Sequence, residues 1–185
     1  MEIIIFEQNN DQDNDMNEEK LEPDFIEEEL DYSGRPFDYR DMDSNTCMIC
    51  EHDPTIRQRL RDNLKTLNYN IVEPNTAKEA LKYTTFQTFN VIVISEDFDI
   101  GKDGENYVLQ YLNGLDIATR RQIFVVLISA TFATLDYMNT LNKSVNLIVN
   151  KEEIAEIGMI LKREMEENEY FYHVYRDFQR KLGKT

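Results

Sequence analysis

Five short apolar stretches alternate with five amphipathic stretches between residues 46 and 165. The apolar stretches are rich in Ile and Val and lie between turn-forming residues, which is typical of strands buried in a parallel sheet. The amphipathic stretches repeat apolar residues every three or four positions, which predicts helices that pack one face on that sheet. The predicted strands comprise residues 47–50, 71–72, 91–94, 123–128 and 147–149.

The predicted helices begin at recognisable capping residues. Asp53 followed by Pro54 predicts the start of the first helix, because Asp caps a helix and Pro fits its first turn. Asn75 or Thr76 caps the second, and the fifth runs from Ile154 onward. The apolar stripes of the first four helices are Ile56, Leu60, Leu64 and Leu67; Ala77, Ala80, Leu81 and Tyr83; Tyr107, Val108, Tyr111 and Leu112; and Leu135, Met138 and Leu141.

This alternation of strands and helices predicts an α/β fold with a single doubly wound parallel sheet. Right-handed crossovers place helices on both faces of such a sheet, and five strands fit the flavodoxin-like order. Functional groups in these sheets lie at the carboxyl ends of the strands, near the switch in strand order. The residues that directly follow strands one, three, four and five are therefore the candidate site.

Polar residues follow each of these four strands. They are Glu51, His52 and Asp53; then Ser95, Glu96 and Asp97; then Ser129; and finally Asn150 and Lys151. Over residues 46–165 this order resembles the receiver domains of bacterial response regulators. Those domains carry an acidic pair, a phospho-accepting Asp, a Thr or Ser and a Lys at the corresponding places. Residues 120–127, 144–147 and 171–184 also resemble an uncharacterised group of receiver-like bacterial proteins.

The resemblance implies a site in which carboxylates bind Mg²⁺ and a lysine neutralises a transferred phosphoryl group. The chain departs from that pattern at Ser95, which replaces the acceptor aspartate, and at Glu51-His52, which replaces the acidic pair. Ser129 matches, and either Asn150 or Lys151 takes the lysine position. We therefore expect a degenerate pseudo-receiver that is not phosphorylated on aspartate and has no metal or cofactor, Mg²⁺ included.

Two alternatives to a pseudo-receiver stay open. In the first, Glu96 or Asp97 replaces the missing aspartate as the phospho-acceptor. A one-residue shift along a strand, however, points a side chain to the other face of the sheet. The second is a small-molecule-binding or enzymatic domain. It is disfavoured because residues 51–55 lack glycine, and because His52 and Ser95 would be a base and a nucleophile without an oxyanion site. We expect no enzymatic activity, but a protein-protein interaction module in bacterial signal transduction.

The net charge of −16 is concentrated at the amino-terminal end of the chain. Residues 1–45 hold 16 acidic and 3 basic residues, whereas the other 140 residues hold 20 and 17. We expect residues 1–45 to form a largely disordered acidic arm, because so polar a segment buries too little surface to fold. An acidic chain repels nucleic acid and anionic membranes, so neither is an expected partner. With no spanning segment and no signal peptide in the sequence, we expect a cytoplasmic protein.

The two cysteines, Cys47 and Cys50, fall inside the first predicted strand. A redox pair of this spacing normally lies at a strand-to-helix turn, and a zinc site needs four ligands. Strand cysteines are more often buried core residues. We therefore predict a buried pair without a disulfide framework or a metal.

Residues 166–185 extend the last helix beyond the length that a receiver domain needs. This predicted extension carries a narrow apolar stripe, made of Phe171, Val174, Tyr175, Phe178 and Leu182. Exposed aromatic residues on a helix mark a surface for a partner, unless they fold back on the domain itself. We expect either self-docking or a protein partner here, including a homodimer formed through this helix.

Overall fold

A computed structural model describes residues 45–102 and 104–183 of the chain. Five parallel strands form one sheet in the order β2-β1-β3-β4-β5. They are β1 (Thr46–Cys50), β2 (Asn70–Val72), β3 (Val91–Ser95), β4 (Phe124–Ser129) and β5 (Leu147–Asn150). The predicted doubly wound, flavodoxin-like sheet is confirmed. The acidic arm predicted for residues 1–45 lies outside the described residues, apart from Asn45.

Helices connect the strands and cover both faces of the sheet. They are α1 (Pro54–Thr66), α2 (Ala77–Phe86), α3 (Tyr107–Gly114), α4 (Ile117–Arg120), α5 (Tyr137–Asn142) and α6 (Ile157–Lys181), with a 3-10 helix at Lys151–Glu156. Asp53 and Thr76 cap α1 and α2 by accepting hydrogen bonds from backbone N–H groups of the first turn. The capping signals in the sequence therefore located both helix starts. No helix in the described ranges is long and apolar enough to cross a lipid bilayer.

Alternate residues of each central strand point into one of two apolar layers. Ile49 and Val93 face the layer that also contains Leu64 of α1 and Leu161 of α6. Met48, Ile92 and Val108 belong to the opposite layer, under α2 and α3. Because both faces are covered, the strands read as continuous apolar runs in the sequence.

The connections differ from the sequence prediction in three places. Helix α4, four residues capped by Asp116, is additional to the five predicted helices. The last helix was expected to run from Ile154, but a 3-10 turn precedes α6, which starts at Ile157. In α5, Met138 and Leu141 are 69% and 73% exposed, so the apolar spacing found the helix but not a buried face.

Helices α1 and α6 lie side by side on one face of the sheet. A Cβ atom at Gly158 would come within 2.6 Å of the Asn63 side chain, so the glycine permits a close approach near the start of α6. Further along, the Tyr69 hydroxyl contacts the Met165 sulfur at 3.4 Å. The first half of α6 is thus part of the domain core.

Candidate functional site

The carboxyl ends of β1, β3, β4 and β5 form one edge, where the predicted site residues meet. The strand register pairs Cys50 with Ile94 and Ser129 with Asn150, so the residues that follow these strands are neighbours. Glu51, Ser95 and Ser129 are buried at this edge. The candidate site therefore combines side chains from four strand ends, as the topology requires.

Asp97 lies between Ser95 and Lys151. The Ser95 hydroxyl donates to Asp97 Oδ1 at 2.6 Å, and Lys151 Nζ donates to Asp97 Oδ2 at 2.9 Å. Partial burial raises the pKa of Asp97, but the hydrogen bonds from Ser95 and Lys151 outweigh it and hold that pKa below its ordinary value. Burial lowers the pKa of Lys151, yet its bond to Asp97 leaves that pKa raised overall. Both groups are charged at neutral pH.

Glu96 engages the hydroxyl at the end of β4. Ser129 Oγ donates to Glu96 Oε2 at 2.6 Å, and the backbone N–H of Ala130 donates to Glu96 Oε1 at 2.8 Å. Ser129 Oγ in turn accepts from the N–H groups of Thr131 and Phe132, at 2.9 and 3.0 Å. The two carboxylates after β3 thus bind the donors that β4 and β5 present.

The chain turns directly after Ser95, which explains how Asp97 reaches this edge. The Phe98 N–H donates to the Ser95 carbonyl at 3.1 Å, and Asp99 has a φ of 45°. The objection raised from the sequence, that a one-residue shift points a side chain to the other face, does not apply to Asp97, which lies two residues after Ser95. Strand alternation ends at Ser95, and the turn returns the Asp97 side chain beside it.

The residues after β1 divide into a buried carboxylate and two exposed side chains. Glu51 is 2% exposed; its Oε1 accepts from the Asp53 N–H at 2.8 Å, while its Oε2 lacks a hydrogen-bond partner among the described residues. The His52 ring stacks on Phe98, with ring centroids 4.6 Å apart. Asp53 caps α1, and hydrogen bonds from the N–H groups of Ile56 and Thr55 lower its pKa.

Lys151, rather than Asn150, faces the site. Asn150 Nδ2 donates to the Phe132 carbonyl at 2.8 Å, and its Oδ1 accepts from the Glu152 N–H at 2.9 Å. These two bonds close the loop after β4 and cap the 3-10 helix. Of the two residues that the sequence offered, Lys151 is the one that contacts Asp97.

The residues at this edge do not fit the Mg²⁺ ion that the receiver resemblance implies. Mg²⁺ prefers carboxylate oxygens in octahedral geometry. The unpaired Oε2 of Glu51 offers one such oxygen, but Asp97 is held by Lys151, and Ser95 brings no charge. Within residues 45–102 and 104–183, no three His, Cys, Asp or Glu side chains are grouped to hold an ion.

Asn106 supports the β3 end of the site, and sequence reasoning missed it. Its Nδ2 donates to the carbonyls of Ser95 and Phe98, at 3.0 and 3.3 Å, and its Oδ1 caps α3 through the Leu109 N–H. An Asn directly before a helix is a capping signal that would have identified it.

Comparison with known proteins shows what this arrangement is similar to. No protein-family model matches the sequence, and no curated protein matches it. Solved structures do match. The Francisella response regulator 1452 receiver domain is 18% identical, with 66% of this chain and 98% of that one covered and a TM-score of 0.53. The chain has the receiver fold.

Two further receiver-fold structures match over the same part of the chain. A response regulator from Thermotoga maritima is 10% identical, with a TM-score of 0.52, over 66% of this chain and 98% of that one. Chemotaxis response regulator CheY4 of Vibrio cholerae is 12% identical, with a TM-score of 0.52, over 65% and 98%. The receiver fold predicted from the strand-end residues is confirmed. Similarity at these low identities shows the fold alone.

The apolar stripe of the last helix divides between two sides of α6. Phe171, Val174, Phe178 and Leu182 are all more than half exposed. Tyr175 instead faces its own domain, where the Arg121 guanidinium lies 5.3 Å from the ring centroid. Self-docking therefore applies to Tyr175, whereas the other residues of the stripe are exposed and the expectation of a protein partner stays a prediction.

Proposed function

We propose that this protein is a non-catalytic pseudo-receiver that works as a protein-protein interaction module in bacterial signal transduction. The receiver fold supports a signalling role. The observation that carries the finer assignment is the replacement of the acceptor aspartate by Ser95, whose hydroxyl donates to Asp97. A serine hydroxyl lacks the charge of a carboxylate, so it attacks a phosphoryl donor less readily and gives a metal ion no negative ligand.

The hydrogen bonds of the site support the same proposal. A phosphoryl group at this edge would need positive or hydrogen-bonding groups that are free to receive its charge. Lys151 is bound to Asp97, and Ser129 is bound to Glu96. The chain's own carboxylates therefore compete with any phosphoryl group for both donors. The protein works without Mg²⁺, in the cytoplasm, through contacts with other proteins.

A second candidate function rests on the position of Asp97. Its carboxylate lies 2.9 Å from Lys151 Nζ, on the same edge as Ser95. An acceptor displaced by two residues would therefore still have a lysine beside it. In this alternative the domain is an atypical receiver that is phosphorylated on Asp97, with Lys151 neutralising the transferred group.

Titration with Mg²⁺ and beryllofluoride, followed by backbone NMR, tests the proposal. Beryllofluoride mimics a phosphoryl group on a carboxylate. We expect no saturable shift at the amides of Glu51, Ser95, Ser129 and Lys151 at millimolar ligand. Saturable shifts centred on these residues would overturn the pseudo-receiver.

The variant Asp97→Asn separates the two candidates. Asparagine keeps the shape of the side chain but cannot accept a phosphoryl group. Beryllofluoride binding that is present in the wild type and lost in Asp97→Asn would establish the atypical receiver. Glu96→Gln is the matched control, because it removes one charge from the adjacent position of the same turn.

A further inference from the structure

The exposed side of α6 has a symmetric order of charge and apolar character. Phe171 lies on this side next to a stripe of five further exposed residues: Glu167, Tyr170, Val174, Phe178 and Lys181. Their spacings are three, four, four and three, so they share one side of a helix and read alike from either end. An acid and a base occupy the two ends, aromatic rings come next, and Val174 is at the centre. Tyr170, Val174 and Phe178 are 81%, 52% and 61% exposed.

The other side of α6 is already occupied by the domain. Ile157 and Leu161 are buried in the core, and the Met165 sulfur contacts the Tyr69 hydroxyl. Beyond Met165, Tyr175 is covered by Arg121 at 5.3 Å. The helix is thus held in place from its inner side, and the symmetric side is presented outward.

A second copy of the same helix complements this surface when the two run antiparallel. With a two-fold axis at Val174, Glu167 lies opposite Lys181, Tyr170 opposite Phe178, and Val174 opposite itself. Every charged residue of the stripe then meets its opposite and both rings of the stripe meet a ring, while the neighbouring Phe171 lies opposite Asp177. A parallel pair would place Glu167 against Glu167 and Lys181 against Lys181, where like charges repel.

We propose that the protein forms an antiparallel homodimer through α6, centred on Val174. The proposal rests on the assignment of the domain as an interaction module and names the partner as a second copy of this chain. A two-fold interface of this kind is self-complementary, so one surface serves both subunits. The aromatic rings supply most of its apolar contact, because Tyr and Phe bury more surface than other side chains.

The stripe is short, which favours a weak and reversible dimer. From Glu167 to Lys181 it spans about 21 Å at a rise of ~1.5 Å per residue. So short a helix pair buries an area at the low end for specific interfaces, which suits a reversible dimer. The dimer is therefore expected in the micromolar range, sensitive to both protein concentration and salt.

Engineered cysteines test the orientation of the helices in the full-length protein. In the antiparallel dimer, a mixture of Glu167→Cys and Lys181→Cys forms a disulfide-linked dimer, whereas neither variant alone does so. Identical positions lie about 21 Å apart in that dimer, far beyond the ~7 Å that a disulfide spans between Cα atoms. Val174→Cys alone forms the linked dimer. The native thiols of Cys47 and Cys50 do not interfere, because both are buried.

Charge reversal tests the pairing without changing the aromatic residues. Glu167→Lys and Lys181→Glu each create like-charge pairs in their own homodimer. Each variant should raise the dissociation constant of the dimer roughly tenfold, as measured by light scattering. An equimolar mixture of the two variants restores both ion pairs and should dimerise as well as the wild type. Lys162→Glu is the matched control, an exposed charge reversal on α6 outside the stripe that should leave the mass unchanged.

Three results would overturn the proposal. One is a monomer at millimolar concentration, which would leave the outer side of α6 for another partner. Another is self-linkage of Glu167→Cys, which would mean parallel helices. The last is a dimer that neither charge reversal affects, which would mean a different interface. None of them alters the beryllofluoride titration, so failure of the dimer and failure of the pseudo-receiver are separable.

Discussion

Removal of the Ser129 hydroxyl should destabilise the protein more than removal of any other hydroxyl at the site. Ser129 is fully buried, and its Oγ makes three hydrogen bonds. The variant Ser129→Ala deletes them together without changing the backbone. Glu96 loses one of its two donors, and the N–H groups of Thr131 and Phe132 lose their acceptor.

The size of the effect follows from these partners. A hydrogen bond to a charged group contributes about 1.5–3 kcal/mol, and a partly buried N–H without an acceptor costs about 1–3 kcal/mol. Thr131 is exposed and can be hydrated, so only Phe132 adds to the loss at Glu96. We expect the free energy of unfolding to fall by about 3 kcal/mol, a large share of the ~5–15 kcal/mol typical of a domain.

Urea unfolding followed by far-ultraviolet circular dichroism measures this loss, since the chain has no tryptophan for fluorescence. With a slope of about 2 kcal/mol per molar urea, the midpoint should fall by roughly 1.5 M. Ser95→Ala is the matched control. It also removes a buried hydroxyl that donates to a carboxylate, but Asp97 is exposed and keeps its bond to Lys151. The free energy of unfolding of Ser95→Ala should fall by only about 1 kcal/mol.

Two outcomes would refute this reasoning. If Ser129→Ala loses no more than Ser95→Ala, burial of the hydrogen-bonded carboxylate does not control the cost. If Ser129→Ala and Glu96→Ala are additive in the double variant, the two side chains do not stabilise each other. Residues in contact are expected to show a coupling energy of about 0.5–3 kcal/mol.

Three further predictions concern the site and the core. Asp97→Asn should be less stable than the wild type at neutral pH, and in urea titrations the difference should begin to shrink as pH falls below about 4. The folded state holds the pKa of Asp97 below its ordinary value, so the stabilisation is fully lost only once pH is below that lowered pKa. Cys47 and Cys50, whose pKa values burial raises, should react with a thiol reagent only in urea; modification of the native protein would contradict their burial. Phe98→Ala should cost about 3–5 kcal/mol, because the ring is fully buried, and a loss below 1 kcal/mol in thermal unfolding would count against this packing.

The strands and their ends were predictable because they depend on local sequence and on a small number of topological rules. Val91 to Ile94 is apolar without interruption, and the strand is buried throughout. Once the strand was located, Ser95 had to lie at the carboxyl edge beside Glu51 and Ser129. The capping residue Asp53 fixed the start of α1 in the same way, through one short-range hydrogen-bond pattern.

The partners within the site could not be predicted from the sequence. Whether Asp97 or Glu96 faces Lys151 depends on the turn after β3, which includes a positive φ at Asp99. A positive φ at a residue other than glycine reflects its surroundings as much as its own preference. Here the Asp99 side chain accepts a hydrogen bond from the Ala77 N–H at 2.6 Å, a contact 22 residues away in the sequence.

The short helices α4 and α5 were only partly predictable from apolar spacing, for a different reason. Four residues in α4 cannot show a helical period, although Asp116 is an ordinary capping residue. In α5 the apolar spacing was present, yet the side chains of Met138 and Leu141 point to solvent. One turn of helix has too few positions to distinguish a buried side from an exposed one.

The packing of α6 against α1 affects how the chain folds while it is synthesised on the ribosome. Leu64 of α1 faces Leu161 of α6 across the same apolar layer, almost a hundred residues later in the chain. Until the start of α6 has been synthesised, that side of the growing sheet remains uncovered. Synthesis proceeds at ~5–20 residues per second, so the nascent chain exposes apolar strands for several seconds. This face of the sheet is therefore covered only after the start of the last helix has been synthesised. Until then, chaperones can bind the exposed apolar strands.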